Sequence, residues 1–164
     1  MRKTWILASV LALALGLITQ ASSAGSGRNS TVLRFKTMAG VVAPYTGPVN
    51  AIRGIPGGGV PWSIDEANGT LKENGDLAVK VKGLIVTATG TNPSPTFRAV
   101  VSCQSIADGA AVIVNRVTAP FPATTTGDAK FKGSVDLPSP CIAPIVFVTT
   151  GTGDPPAWFS ATGV

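Results

Sequence analysis

The sequence predicts an all-β protein, a single antiparallel β-sandwich or flattened barrel of about eight strands. Three observations predict it. From Gly25 onward there are 25 valine and isoleucine residues against six leucine and methionine residues. Side chains branched at Cβ lose rotamer freedom in a helix but pack well on a pleated sheet. Clusters of Gly, Pro, Asn and Asp recur about every ten residues, and several of the segments between them alternate polar with apolar positions.

The chain opens with a segment that does not belong to the sandwich. Arg2 and Lys3 precede an apolar run from Trp5 to Ile18, and Gln20-Ala21-Ser22-Ser23-Ala24 places small residues at the last and third-last positions of that stretch. This is the layout of a secretory signal peptide over 1–24, cleaved after Ala24. A run of 14 apolar residues is shorter than the roughly 20 that cross a bilayer as a helix. The mature product over 25–164 is therefore expected as one exported β-sandwich domain, extracellular or periplasmic, without a membrane span.

The strands follow in order. Leu33-Arg34-Phe35-Lys36 alternates apolar with basic residues. Val41 to Pro61 is irregular, with Pro44, Pro48, Pro56 and Gly57-Gly58-Gly59, and reads as a long loop carrying one short strand. Asn74-Gly75 is a strong hairpin signal, pairing Thr70–Glu73 with Asp76–Val81. In the second arm Leu77, Val79 and Val81 share one face and Ala78, Lys80 and Lys82 the other. Phe97, Ala99, Val101 and Cys103 line one side of the next strand. Ala111–Val117 is continuously apolar and reads as a buried strand. Ala129–Leu137 alternates again, and Ile142–Thr149 and Ala157–Thr162 complete the set.

Two cysteines in an exported chain are expected to pair. A Cys103–Cys141 bond closes a loop of about 38 residues, worth roughly 4 kcal/mol on the chain-entropy account. A redox role is disfavoured, because no Cys-x-x-Cys occurs and no histidine or lysine sits beside either thiol. The outline is Ig-like only in part: an immunoglobulin domain carries a tryptophan between its cysteines, whereas Trp62 and Trp158 both lie outside 103–141.

Composition narrows the chemistry. The chain has no histidine, which removes Ser-His-Asp triads, Cys-His dyads and histidine metal sites, and two cysteines are too few for a structural zinc site. No metal or cofactor is expected, although the oxygen-rich segment Asp65-Glu66-Ala67-Asn68-Gly69-Thr70 resembles a weak calcium loop apart from Ala67. Turn chemistry at Asn68-Gly69 accounts for that segment equally well. Catalysis would have to use paired carboxylates, drawn from Asp65, Glu66, Glu73, Asp76, Asp108, Asp128, Asp136 and Asp154. Most of these flank turn signals, so no catalytic residue is assigned.

Charge points to a surface. Lys+Arg 13 against Asp+Glu 8 gives +5, which falls to +3 once the leader's two basic residues are set aside, so net charge alone gives no reason to expect a nucleic acid. Three strands, however, carry basic residues two apart: Arg34 and Lys36, Lys80 and Lys82, Lys130 and Lys132. Spacing of two puts each pair on one face. If the strands share a sheet, the six form a face for an anionic polysaccharide or other envelope component. The competing account is that lysines simply mark solvent faces and discourage edge-to-edge pairing. Trp62 and Trp158, with Phe159, could stack sugar rings or fill the core. The expected function is an exported, non-enzymatic binding or structural module of the envelope or extracellular space. The alternatives are a small secreted polysaccharide hydrolase using a carboxylate pair, and an inhibitor or adhesin presenting Val41–Pro61.

Overall fold

The computed structural model describes residues 29–163, so the leader expected over 1–24 lies outside the described residues. Among the described residues there are twelve strands: β1 (Thr31–Phe35), β2 (Ala39–Gly40), β3 (Trp62–Ser63), β4 (Glu66–Lys72), β5 (Asp76–Lys82), β6 (Ile85–Val86), β7 (Thr96–Ala107), β8 (Ala110–Val117), β9 (Phe121–Pro122), β10 (Ala129–Ser134), β11 (Ile142–Thr150) and β12 (Trp158–Ala161). Eight of these are the expected strands. The other four, β2, β3, β6 and β9, are two residues long, too short for alternation to reveal them.

All strand pairs are antiparallel. One sheet runs β1-β4-β5-β10, the other β2-β12-β11-β7-β8 with β9 beside β7, and β3 pairs with β6. The inner face of the four-stranded sheet supplies Phe35, Ala67, Leu71, Leu77, Val79 and Val81, and the six-stranded sheet answers with Phe97, Ala99, Val101, Cys103, Val146 and Val148. Both sets belong to one cluster of buried apolar side chains, the core of a β-sandwich.

The β4–β5 hairpin forms where Asn74-Gly75 predicts it, with a longer loop. Leu71 faces Leu77 and Thr70 faces Ala78, so Glu73, Asn74 and Gly75 form a three-residue connection. Gly75 takes φ +88° and donates its N–H to the Lys72 carbonyl at 3.0 Å. A three-residue hairpin loop needs one left-handed residue at this point, and glycine adopts that conformation without steric cost.

Two expectations are corrected. Asn68-Gly69 is not a turn, since both residues lie inside β4. A Cβ on Gly69 would collide with the ring of Phe35, which crosses this position from the neighbouring strand. Ala111–Val117 is a strand but not a buried one: β8 is the edge of its sheet, with four of its eight residues exposed or edge-facing at Ala110, Ala111, Ile113 and Val117. The strand covered on both faces is its neighbour β7, where Phe97 and Ala99 to Cys103 are all buried.

That double burial comes from the long segment expected as a loop. Val41 to Pro61 carries no full strand, only the isolated bridges Ile52–Ile55 and Gly57–Trp158, and it straps the outer face of the six-stranded sheet. Its own Val41 and Ile55 are buried and join the core. Arg53 anchors it, donating to the carbonyls of Ser102 at 2.9 Å and Ala143 at 2.8 Å. Asn115 donates in turn to the Arg53 carbonyl at 3.0 Å. At the far end, the N–H of Gly58 reaches the carbonyl of Trp158, and the N–H of Trp158 reaches the carbonyl of Pro56.

Cys103 and Cys141 form a disulfide with Cα atoms 5.0 Å apart. Cys103 lies in β7 and Cys141 immediately precedes β11, its neighbour in the same sheet. The bond therefore ties adjacent strands, whereas an immunoglobulin disulfide joins the two sheets.

Candidate functional site

The register brings the basic pairs together. β5 and β10 are neighbours, with Lys80 directly opposite Lys130 and Ala78 opposite Lys132. Ala78 also faces Thr70 on β4, and Thr70 faces Arg34 on β1. Arg34, Thr70, Ala78 and Lys132 thus form one row across the sheet, and Asn68, Lys80 and Lys130 form the next. The buried residues Phe35, Val79 and Val81 alternate with these positions, so both rows lie on the outer face. Lys82 continues the β5 side of the face, opposite Glu66, and Lys36 is exposed just beyond the end of β1.

Directly opposed residues on such a face have Cβ atoms about 5 Å apart, and rows two residues apart are separated by about 7 Å. Two ion pairs offset part of the charge, Lys82–Glu66 at 3.1 Å and Lys72–Asp76 at 3.5 Å. Among the described residues, Arg34, Lys36, Lys80, Lys130 and Lys132 have no acidic partner within 4.0 Å. Two shallow depressions interrupt the face. One, of about 490 Å³, is walled by Lys72 and Lys132 over Thr70 and Ala78; the other, of about 320 Å³, is bordered by Lys80, Lys82, Lys130 and Asp128. Lys72 is the functional candidate that the spacing rule misses, because it has no basic partner two residues away. The outward series Glu66, Asn68, Thr70, Lys72 was its available signal.

Asp76 shows how this face acts on a carboxylate. The Asn74 side-chain amide donates to it at 3.1 Å, Lys72 reaches it at 3.5 Å, and its own N–H is held by Asn74 Oδ1 at 3.0 Å. The Asn74 hydrogen bond first, then Lys72 and the field of Lys132, hold its pKa below the ordinary 3.8. A group depressed in the folded state contributes stability above its unfolded pKa and loses it as pH falls through the folded value. Asn74→Ala is therefore expected to move the Asp76 titration back up toward its ordinary position, read by NMR below pH 5. No change would assign the depression to the lysines alone.

The remaining candidates are dispersed. The segment Asp65–Thr70 is not a loop: Glu66, Asn68 and Thr70 point outward along β4 while Ala67 is buried, and Glu66 is held by Lys82. Asp128 accepts the N–H of Gly83 at 3.1 Å, tying the connection after β5 to the one before β10.

Trp62 and Trp158 are not an exposed platform. Each is 4% exposed. Trp62 lies flat on Phe159 with ring centres 3.8 Å apart and meets Phe97 edge-on at 6.5 Å, while Trp158 packs against Phe147 at 6.0 Å. A sandwich with few aromatics uses its largest rings to fill the space between layers. Trp158 does reach the wall of a cleft of about 340 Å³ beneath the strap, alongside Tyr45, Ile52 and Phe147. Searches against known families, curated proteins and solved structures return no match for this chain.

Proposed function

We propose that the protein is an exported, non-enzymatic binding module whose outer basic face holds an anionic polysaccharide or a similar envelope polymer. The observation that carries the reading is the direct cross-strand opposition of Lys80 and Lys130, flanked by Lys82, Lys132 and Arg34. Like charges placed opposite each other on a sheet are destabilising. A polyanion laid across the rows would offset that cost and give the arrangement a use. Keeping the edges of the sheet apart would require cations only on β1 and β10, yet Lys80 and Lys82 lie on the interior strand β5. The disulfide is consistent with an oxidising compartment, and with the leader-like residues 1–24 it supports export.

The test is retention on a heparin resin at about 50 mM salt, where exposed charges are screened only beyond roughly 14 Å, as the Debye length scales from about 10 Å at 0.1 M. Wild-type protein is expected to bind. Lys80→Gln/Lys130→Gln is expected to lower affinity about tenfold, at about 0.7 kcal/mol for each exposed contact. Flow-through of the wild type sinks the proposal.

A further inference from the structure

We infer that β8 is a self-association edge, on which a second copy of this chain pairs antiparallel to make one continuous sheet across two molecules. Edges of sheets expose unpaired N–H and C=O groups, and proteins blunt them with charge, brevity or cover. Of the four strands that end the two large sheets, three are blunted. β1 carries Arg34, β10 carries Lys130 and Lys132, and β2 is two residues long. β8 has none of these protections. It runs eight residues, reads Ala-Ala-Val-Ile-Val from Ala110 to Val114, and its one charged residue, Arg116, is already donating to the Asp136 carbonyl at 2.8 Å.

The hydrogen-bond parity shows which groups are on offer. Thr118 donates its N–H to Ala99, the next pair in the β7–β8 register. Arg116, Val114, Val112 and Ala110 therefore bond inward to β7, and Ala111, Ile113, Asn115 and Val117 turn their N–H and C=O toward the free side. Among the described residues, nothing hydrogen-bonds those four backbone units. Four exposed apolar side chains lie on β8 and the two strands next to it: Ile113 and Val117 on β8, Ile106 on β7, and Ile142 at the start of β11, in one row with Ile113 through Gln104.

A second copy fits this edge because the edge complements itself. With a two-fold axis at Val114, Ala111 of one copy faces Val117 of the other and Ile113 faces Asn115, so all four outward units on each strand are paired. Arg116 then lies opposite Val112, not opposite another Arg116, and no like charges meet. The remaining long edges carry cations, so pairing through β8 stops at two copies. The basic face belongs to the other sheet and stays open.

The test is sedimentation of the full chain between about 1 and 100 µM, with Ile113→Lys and Ile113→Pro as separate variants. The wild type is expected to dimerise, and each variant to weaken the dimer about 100-fold, since symmetry places every substitution twice in the interface. Ile113→Pro leaves the β7 ladder intact, because the N–H it removes points outward. Amide exchange provides the second readout. The amides of Ala111, Ile113, Asn115 and Val117 are expected to become protected as concentration rises, while those of Val112, Val114 and Arg116 are protected throughout. A wild-type monomer at 100 µM, a dimer unaffected by both variants, or fast exchange at those four amides within the dimer would each overturn the inference.

Discussion

Replacing Trp62 by alanine is expected to cost about 4 kcal/mol of stability while leaving the proposed heparin binding of the folded protein unchanged. The indole is buried between Phe159, stacked on it at 3.8 Å, and Phe97, edge-on at 6.5 Å. Truncating a buried aromatic to alanine typically costs 3–5 kcal/mol, counting both the lost transfer energy and the cavity left behind. Domains of this size hold only about 5–15 kcal/mol in total, so the unfolding midpoint should fall by about 15 °C. The measurement is thermal unfolding followed by near-ultraviolet circular dichroism, with heparin affinity taken well below the new midpoint. A variant that melts like the wild type yet no longer binds a glycan would restore Trp62 as a sugar-stacking residue.

Replacing Cys103 and Cys141 together by alanine is expected to cost a similar amount, about 4 kcal/mol, from the 38-residue separation that the bond closes. That loop contains β8, β9 and β10, so it leaves the six-stranded sheet, supplies an edge to the four-stranded one and returns at β11. Without the bond, the unfolded chain regains the freedom to separate those elements. Denaturant midpoints of the oxidised protein and the double variant give the difference. A loss below about 1 kcal/mol would show that other contacts already keep the unfolded loop compact.

These two costs arise from features of unequal legibility. The cysteine pairing was readable, because a chain with two cysteines leaves each one intramolecular partner. The placement of the tryptophans was not, because nothing local distinguishes an aromatic that fills a core from one that lies on a surface. Val41–Pro61 was legible as irregular, but its anchoring by Arg53 was not, since that residue meets Ser102 and Ala143 from 49 and 90 positions away.

The basic face divides in the same way. Alternation showed that Lys80 and Lys82, or Lys130 and Lys132, share a side of a strand, and turn chemistry showed that β4 and β5 form a hairpin. Neither could say that β10 returns to lie beside β5 and set Lys130 against Lys80. Nor could a continuous apolar run reveal that β8 would end up uncovered at an edge.

What the amino-acid sequence determined by itself is the eight longer pleated segments, the apolar side of those that alternate, and the covalent tie between two of them. Those follow from side-chain branching, a period of two and the chemistry of thiols, all of which act over a few residues or by count. Which strands become neighbours, which faces are covered and which cations stand opposite each other were decided only by the tertiary structure. They depend on hydrogen-bonded ladders and packing between segments tens of residues apart, where many pairings satisfy the same local pattern and the burial of one common core selects among them.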